Sequence, residues 1–527
     1  MSRRATTSGR RGEGGRPPAA APTDPQAEVA AVARILRCRP TDRDALRRLA
    51  RLGAALGDPA GEEQVLRRLV DAWPGDVDAW LALAASLRRQ GRGDEAAAAC
   101  DQALLLRPAA PDVRLEKVLA EEAAGRFEAA SGGFDALVAE FPGFPRIHLE
   151  RHYFLMRRGD VVAALAAADR MIAAHAGEPL GWVARAAALH HLERFAEADR
   201  ASRRAIGIRP DCAPAHFERG VNLMRMGDWR RGLAEMEWRH RLPDAPLPPA
   251  PLPQATLDDP PGTRVLLWSD QGLGDALQYL RFIPGLRERG LRPLLHLPRT
   301  LARLAQTIPG VESVTVDGKP PAADRQIGLC SLPWLLRLDG PDGTWNGPYL
   351  SPPDGLRLDR RPGLAVGVVW AGSPRHTNDR NRSMAAGDLA PLFDLAGIAW
   401  YSLQLGRPGE ARPSTAVDLA PLINDLADTA GLLTQLDLLV SVDTSICHLA
   451  GALGVPAWVL LPPRIEWRWT PGDGATAWDP SWRLFRQRRA GDWSAPGAAV
   501  REGLAHLATV RAAGGGGVLP YGVGEIA

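Results

Sequence analysis

The stretch VDAWLALAASLRRQGRGDEAAAACDQALLLRPAA, residues 77–110, decides the N-terminal half of the fold. Trp80, Leu83, Ala84 and Leu87 recur at helical spacing, which predicts an amphipathic helix. Gly91 and Gly93 interrupt it, and Ala96, Cys100 and Ala103 then share one face of a second helix that Pro108 closes. Ala84 and Ala96 are short enough to let the two helices approach closely. Working outward, Pro40, Pro74, Pro108, Pro142 and Pro210 lie on a ruler of 34 residues, with Ala176 in the remaining slot. A fixed period of that size predicts a stack of helical hairpins.

The quoted positions resemble the tetratricopeptide repeat family. A second well-formed unit carries Trp182, Ala186, Leu189, Ala198, Ala205 and Pro210, and a third begins near Pro214 with Phe217, Gly220 and Leu223. The units at 43–76 and 111–176 are degenerate, with Glu62, Lys117 and His152 in small or apolar slots. The resemblance covers residues 29–242 and implies an α-helical solenoid of five to six units, whose concave face takes partner proteins.

The rest of the chain is punctuated differently. Residues 1–28, rich in Arg, Gly and Pro and without an apolar core segment, are expected to be a disordered tail rather than a secretory signal. The Pro-rich run at 243–262 reads as a semi-rigid linker. After it, RVLLW (264–268) is a strand, SDQGLGDA a loop, Leu277–Arg287 a helix and Leu294–Leu297 a strand. The pattern restarts with LAVGVVW (364–370), WYSLQL (400–405), LDLLVSV (436–442) and Ala457–Leu461. Strands alternating with helices predict two parallel, doubly wound domains at 263–360 and 361–512, followed by a flexible tail at 513–527.

Composition narrows the function. Hydrophobic residues make up 45% and charged residues 24% of the 527, and 64 Lys+Arg against 61 Asp+Glu leave a net charge of +3. No basic excess exists to track nucleic-acid phosphates, and no apolar run is long enough to span a bilayer. Five scattered cysteines without metal spacing point to free thiols in a reducing compartment, hence a cytoplasmic location. Only Lys117 and Lys319 are lysines, so a phosphate site here would rely on guanidinium groups.

GLGDALQYLRFIPGL (272–286), VGVVWAGSPRHTNDRNRSM (366–384) and SVDTSICHLAGALGVPAWVLLP (441–462) resemble glycosyltransferase family 9, the heptosyltransferases. The order of parts is similar to that of protein O-GlcNAc transferase, and the combined resemblance covers residues 29–510. It implies a GT-B fold and an inverting, metal-independent transfer of a sugar from a nucleotide-sugar to a protein or glycan hydroxyl. A non-catalytic scaffold with a degenerate GT-B half is the alternative.

The resemblance carries roles to particular residues. Asp275 would be the general base on the acceptor hydroxyl, with Gly272 and Gly274 shaping its loop. Asp443 would hold donor-sugar hydroxyls, Thr444 and Ser445 the phosphates, and His448 the loop or the donor. Arg382 first and Arg375 second would take the place of the usual phosphate-binding lysine, with Arg380 in the same loop. Ser373 would add a phosphate hydrogen bond, and Gln404 would lie near base or ribose. On chemical grounds a helix N-terminus after a strand suits a diphosphate, and an Arg fork can bind two of its oxygens. Gln278 at the third glycine slot and Pro298-Arg299 ending the second strand argue against a nicotinamide fingerprint. Trp467 and Trp469 read as core, and Asp479 stands where related sequences tend to have an aromatic residue.

Overall fold

A computed structural model describes residues 25–243, 245–341, 344, 347–353, 355–374, 376, 378–406, 413–463, 468–469, 474–476 and 478–513. The chain divides into two compact units, residues 1–148 and 149–527. The expected boundary at 242 is therefore displaced, and the later repeats belong with the α/β part.

In the first unit α1 (Pro25–Cys38) precedes the hairpins α2 (Arg43–Ala55)–α3 (Pro59–Ala72), α4 (Val77–Arg89)–α5 (Gly93–Leu106) and α6 (Pro111–Ala123)–α7 (Phe127–Glu140). Leu46, Leu69, Leu83, Ala84, Leu87, Ala96 and Cys100 share one buried core. Asp76 caps α4 through the Ala79 N–H and also accepts from Arg43 and Arg47 of α2, which fastens one hairpin to the next. The degenerate slots are satisfied rather than empty of function: buried Glu62 accepts from Ser86 and Arg89, and Lys117 pairs with Asp101 and Glu121. A buried carboxylate held by two donors avoids the cost of an unpaired charge.

Helix α8 (Pro145–Arg158) spans the division, and α9 (Val161–Ala174), α10 (Pro179–His191), α11 (Phe195–Ile208), α12 (Ala213–Arg225) and α13 (Trp229–Met236) continue the pattern. His152, also in a degenerate slot, engages the Ala164 carbonyl through Nδ1 at 3.0 Å. The 34-residue ruler reappears in the backbone. Gly57, Gly91, Gly125, Gly159 and Gly227 all take positive φ between hairpin helices, and Glu193 takes φ 58° in the matching slot. Left-handed backbone suits glycine, so Glu193 is the strained member of the series.

A 3-10 turn at Glu237–Arg241 leads out of α13. Its Arg239 is buried and donates to Asp270 at 2.6 Å and to Ser331 at 2.6 Å, at the ends of two strands of the first sheet. Arg225 donates to the Trp469 carbonyl at 2.8 Å. These bonds, with the Trp229–Trp478 ring contact, give the later repeats their place in the second unit. The run expected to be a linker is partly built into the sheet. Ala255 donates to the Gln326 carbonyl and Gln326 to the Pro253 carbonyl, so residues 253–255 lie along a strand edge, with Ala255 buried.

The α/β part holds two sheets. The first is formed by β1 (Arg264–Trp268), β2 (Arg292–His296), β3 (Ser313–Thr315) and β4 (Arg325–Gly328), all parallel in the order β3-β2-β1-β4. Between them lie α14 (Leu273–Tyr279), α15 (Ile283–Arg287), α16 (Arg299–Ala305) and, after β4, α17 (Leu332–Leu335). The expected helix at 277–287 starts earlier, at Leu273, and is broken by a 3-10 turn at 280–282 just before Pro284, which has no N–H to continue the ladder.

The second sheet contains β5 (Leu364–Val369), β6 (Ile398–Ser402), β7 (Val417–Asp418), β8 (Leu438–Val442), β9 (Ala457–Leu461), β10 (Gly474–Thr476) and β11 (Asp479–Arg486). Their order is β10-β11-β9-β8-β5-β6-β7, parallel except for β10. Among the described residues it is accompanied by α18 (Asp379–Arg382), α19 (Ala390–Phe393), α20 (Leu426–Leu433), α21 (Ser445–Leu453) and α22 (Ser494–Ala512). From β7 to β11 this is the doubly wound order, in which the order of strands, not their direction, reverses between β5 and β8. Strands β5, β8 and β9 are buried at every position, as a sheet covered on both faces requires. Among the described residues no helix is long and apolar enough to cross a membrane.

Candidate functional site

Both sheets end their central strands at one cleft. Loops after β1, β5 and β8 and the helix N-termini of α14 and α21 line a cavity of about 680 Å³. Gly272, Gly274, Asp275, Ser373, Arg382, Gln404, Asp443, Thr444, Ser445 and His448 all border it. Arg375 lies outside the described residues, as does Trp467, and of Arg380 only the backbone is described.

Helices α14 and α21 touch because Gly274 has no side chain. A Cβ there would stand 2.8 Å from His448 Cδ2. In the next position Asp275 forms an ion pair with Arg468. The N-cap of α14 is Gly272 and no side chain caps that helix, so Asp275 is turned to the cleft rather than used as a cap. The ion pair fixes the carboxylate where the loop after β1 meets the cleft. Arg468 is the site residue that sequence reasoning did not single out. It follows β9 in the chain with no motif spacing, and its one signal is the chain's reliance on arginine.

The N-terminus of α21 is assembled around His448. That ring is buried between Trp469 and Trp482, with centroids 5.7 and 5.5 Å away. Its Nε2 is 4.0 Å from Asp443 Oδ1, and Nδ1 has no hydrogen-bond partner among the described residues. Burial, then the nearby Arg468, Arg281 and Arg382 guanidiniums, push the imidazole well below its ordinary range, so it is neutral at pH 7. Asp443 accepts from the Trp469 indole N–H at 3.2 Å. Thr444 caps α21 through the Ile446 N–H, which leaves Ser445 on the first turn facing the cleft.

Asp443, Cys447 and His448 bring potential metal-ligand atoms within 4.8 Å of one another. The same guanidiniums that depress His448 oppose a cation there, and the Cys447 thiol donates to the Thr444 carbonyl at 2.9 Å.

Arg382 ends α18 and donates from Nη1 to the Asp443 carbonyl at 3.0 Å, while its Nε is buried and unpaired among the described residues. Gly372 passes so closely over it that a Cβ would lie 2.7 Å from Nη2. Ser373 follows, exposed, in a loop pinned by the Gly372 N–H to Ser383 Oγ bond at 2.9 Å. Gln404 differs from expectation. Its Oε1 accepts from the Trp370 and Ala371 N–H groups at 3.1 and 2.9 Å, and its Nε2 donates to the Ala371 and Leu405 carbonyls at 3.0 and 2.8 Å. With its amide used up on backbone, Gln404 splints the end of β5 instead of reaching a ligand. Asp479 is fully buried beneath α21, where Ser481 donates to it, and burial lifts its carboxyl to about 6. Trp469 and Trp478 are core, as read for Trp469.

Tetratricopeptide repeat models match residues 43–86 and 87–151. Residues 43–151 are tetratricopeptide repeats. Protein FlbA of Caulobacter vibrioides is 27% identical over 337 residues, covering 56% of this chain and 55% of its own length. The chain thus spans about half the length of that curated relative. Among solved structures, the APC/C Cut9–Hcn1 hetero-tetramer is similar at 15% identity and TM-score 0.32, over 40% of this chain and 43% of that one. A thermophilic tetratricopeptide protein of Thermus thermophilus is similar at 19% identity and TM-score 0.30, over 34% of this chain and 99% of its own.

Proposed function

We propose that the cleft is the active site of an inverting, metal-independent glycosyltransferase of GT-B type, and that the repeats recruit its acceptor or a partner protein. The observation that carries this reading is the opposition of Asp275 on α14 to the N-terminus of α21 and its guanidiniums, across the ends of two doubly wound sheets. A carboxylate on one side and a positive helix end on the other suit a reaction that removes a proton from one reactant and builds charge on another.

In this reading the nucleotide-sugar lies on the second sheet. Asp275 takes the proton of the acceptor hydroxyl as its oxygen attacks the anomeric carbon. The bond from that carbon to the diphosphate breaks, and the nucleoside diphosphate leaves with the electron pair. Arg382, Arg468 and the free N–H groups of α21 stabilise the departing charge. Inversion follows from a single displacement. The three sequence motifs and their glycosyltransferase resemblance support the same assignment.

Thermal-shift measurements with UDP-, ADP-, GDP- and dTDP-sugars test it. One donor should raise the melting temperature, Arg382→Ala should weaken that protection, and Arg382→Lys should restore most of it. No protection by any nucleotide-sugar would favour a non-catalytic scaffold.

A further inference from the structure

The hairpin of α12 and α13 closes the repeat series, and two glycines lock it. A Cβ at Gly220 would stand 2.9 Å from the Gly232 carbonyl oxygen, and one at Gly232 would stand 2.5 Å from Met224 Cγ. Backbones packed this closely leave the two helices no room to slide. Across the same contact His216 Nδ1 lies 2.5 Å from Glu235 Oε2, and the His216 ring stacks on Trp238 at 3.8 Å. Hairpin and following 3-10 turn are therefore one rigid piece.

That piece reaches both halves of the cleft. From the 3-10 turn, Arg239 donates through Nε and Nη2 to Asp270 Oδ2 at 3.2 and 2.6 Å. Asp270 stands just beyond β1 in the loop that runs on to Asp275. Its other oxygen accepts from the Cys330 N–H at 3.0 Å, and a Cβ at Gly328 would lie 2.5 Å from Oδ2. The Arg239 and Asp270 side chains are 3% and 0% exposed, so salt hardly screens the pair. From the last turn of α12, Arg225 donates to the Trp469 carbonyl at 2.8 Å. Trp469 in turn donates to Asp443 and packs on His448, and its neighbour Arg468 pairs with Asp275.

We infer that Arg239 and Arg225 are positioning residues, through which the last repeat fixes the proposed base relative to the donor site. The inference rests on the transferase reading and makes this hairpin part of the active site as well as part of a recruiting array. Arg239 suits the task because three of its nitrogens hold Asp270, Ser331 and Glu237 at once, which a lysine ammonium cannot reproduce. A general base acts only within hydrogen-bond reach of the proton it removes, and a displacement of about 1 Å can cost about 10²-fold.

The test uses the full chain carrying Arg239→Lys, Arg225→Met or, as control, Arg230→Ala, whose side chain is 71% exposed on α13. Hydrogen–deuterium exchange without donor would be followed over residues 269–279 and 443–453. Dissociation constants and hydrolysis rates would be measured on the same samples with labelled UDP-, ADP-, GDP- and dTDP-glucose, water serving as acceptor. Arg239→Lys should speed exchange at 269–279 alone and lower the kcat of hydrolysis by about 10–100-fold at unchanged donor affinity. Arg225→Met should speed exchange at 443–453 alone and weaken the donor by about three- to tenfold. Arg230→Ala should match the wild type throughout. Exchange unchanged at both segments would overturn the inference, as would an equal loss of kcat and affinity in both variants, the mark of general loosening. Failure of the wild type to bind any donor would overturn the transferase reading, while exchange would still decide whether the hairpin holds the two segments.

Discussion

The contact between α14 and α21 gives the most demanding prediction, because two opposing effects must be weighed. Replacing glycine by alanine in a helix ordinarily stabilises by about 0.5–1 kcal/mol. At Gly274 the new methyl would stand 2.8 Å from His448 Cδ2 and 3.4 Å from Nε2. Carbon atoms prefer about 3.5–4.0 Å, so one partner must move by roughly 0.7 Å or more. His448 cannot yield cheaply, since Trp469 and Trp482 enclose its ring. Overpacking of this kind costs about 1–3 kcal/mol, which exceeds the propensity gain. With the propensity gain subtracted the net cost is about 1–2 kcal/mol near the middle of these ranges, so Gly274→Ala should lower the melting temperature of the α/β part by about 2–8 °C, at 2–4 °C per kcal/mol. Gly431→Ala is the control: it lies inside α20 with nothing within 4 Å of the added atom, and it should stabilise. Scanning calorimetry would measure both, and a cycle with His448→Ala would isolate the contact. In the His448→Ala background Gly274→Ala should become neutral or stabilising. A Gly274→Ala protein as stable as Gly431→Ala, or an equal cost with and without the imidazole, would refute the reasoning.

Other expectations are open to simple assays. Gln404→Ala strands the Trp370 and Ala371 N–H groups and two carbonyls, so the urea midpoint should fall by the equivalent of roughly 2–4 kcal/mol, with nucleotide-sugar protection reduced as the Ser373 loop loosens. In the first unit, burial alone would push the Asp76 carboxyl up, but Arg43, Arg47 and the Ala79 N–H outweigh it and hold the group at about 2. A depressed carboxyl contributes stability that is complete above its unfolded value near 4 and is lost as pH falls toward 2. That contribution is at most about 2 kcal/mol, reduced because Arg43 is partly exposed, and melts from pH 5 to 2 should show Asp76→Asn losing less with acid than the wild type.

The repeats were legible because each hairpin repeats the same local rules: the ruler of prolines marks the same interval at which the left-handed turns recur, Glu193 included. The α/β strands were legible as buried apolar runs. The position of Gln404 was legible but its work was not, since its partners are backbone groups of β5 more than 30 residues away. Arg468 carried no motif and reaches Asp275 only through the fold. The chain divides at 148, and the later repeats are bonded to the α/β part through Arg225 and Arg239, whose partners Trp469, Asp270 and Ser331 are distant in sequence. The Pro-rich run hid a strand-edge segment because proline composition signals extension, not what the extended chain lies against.

The central claim is that Asp275 activates an acceptor across from a bound nucleotide-sugar. The most direct measurement is transfer of labelled sugar by wild type and Asp275→Ala, with donor binding followed on the same samples. The account predicts turnover lower by about 10²–10⁴-fold, with donor affinity nearly unchanged. Near-full turnover in Asp275→Ala would contradict it.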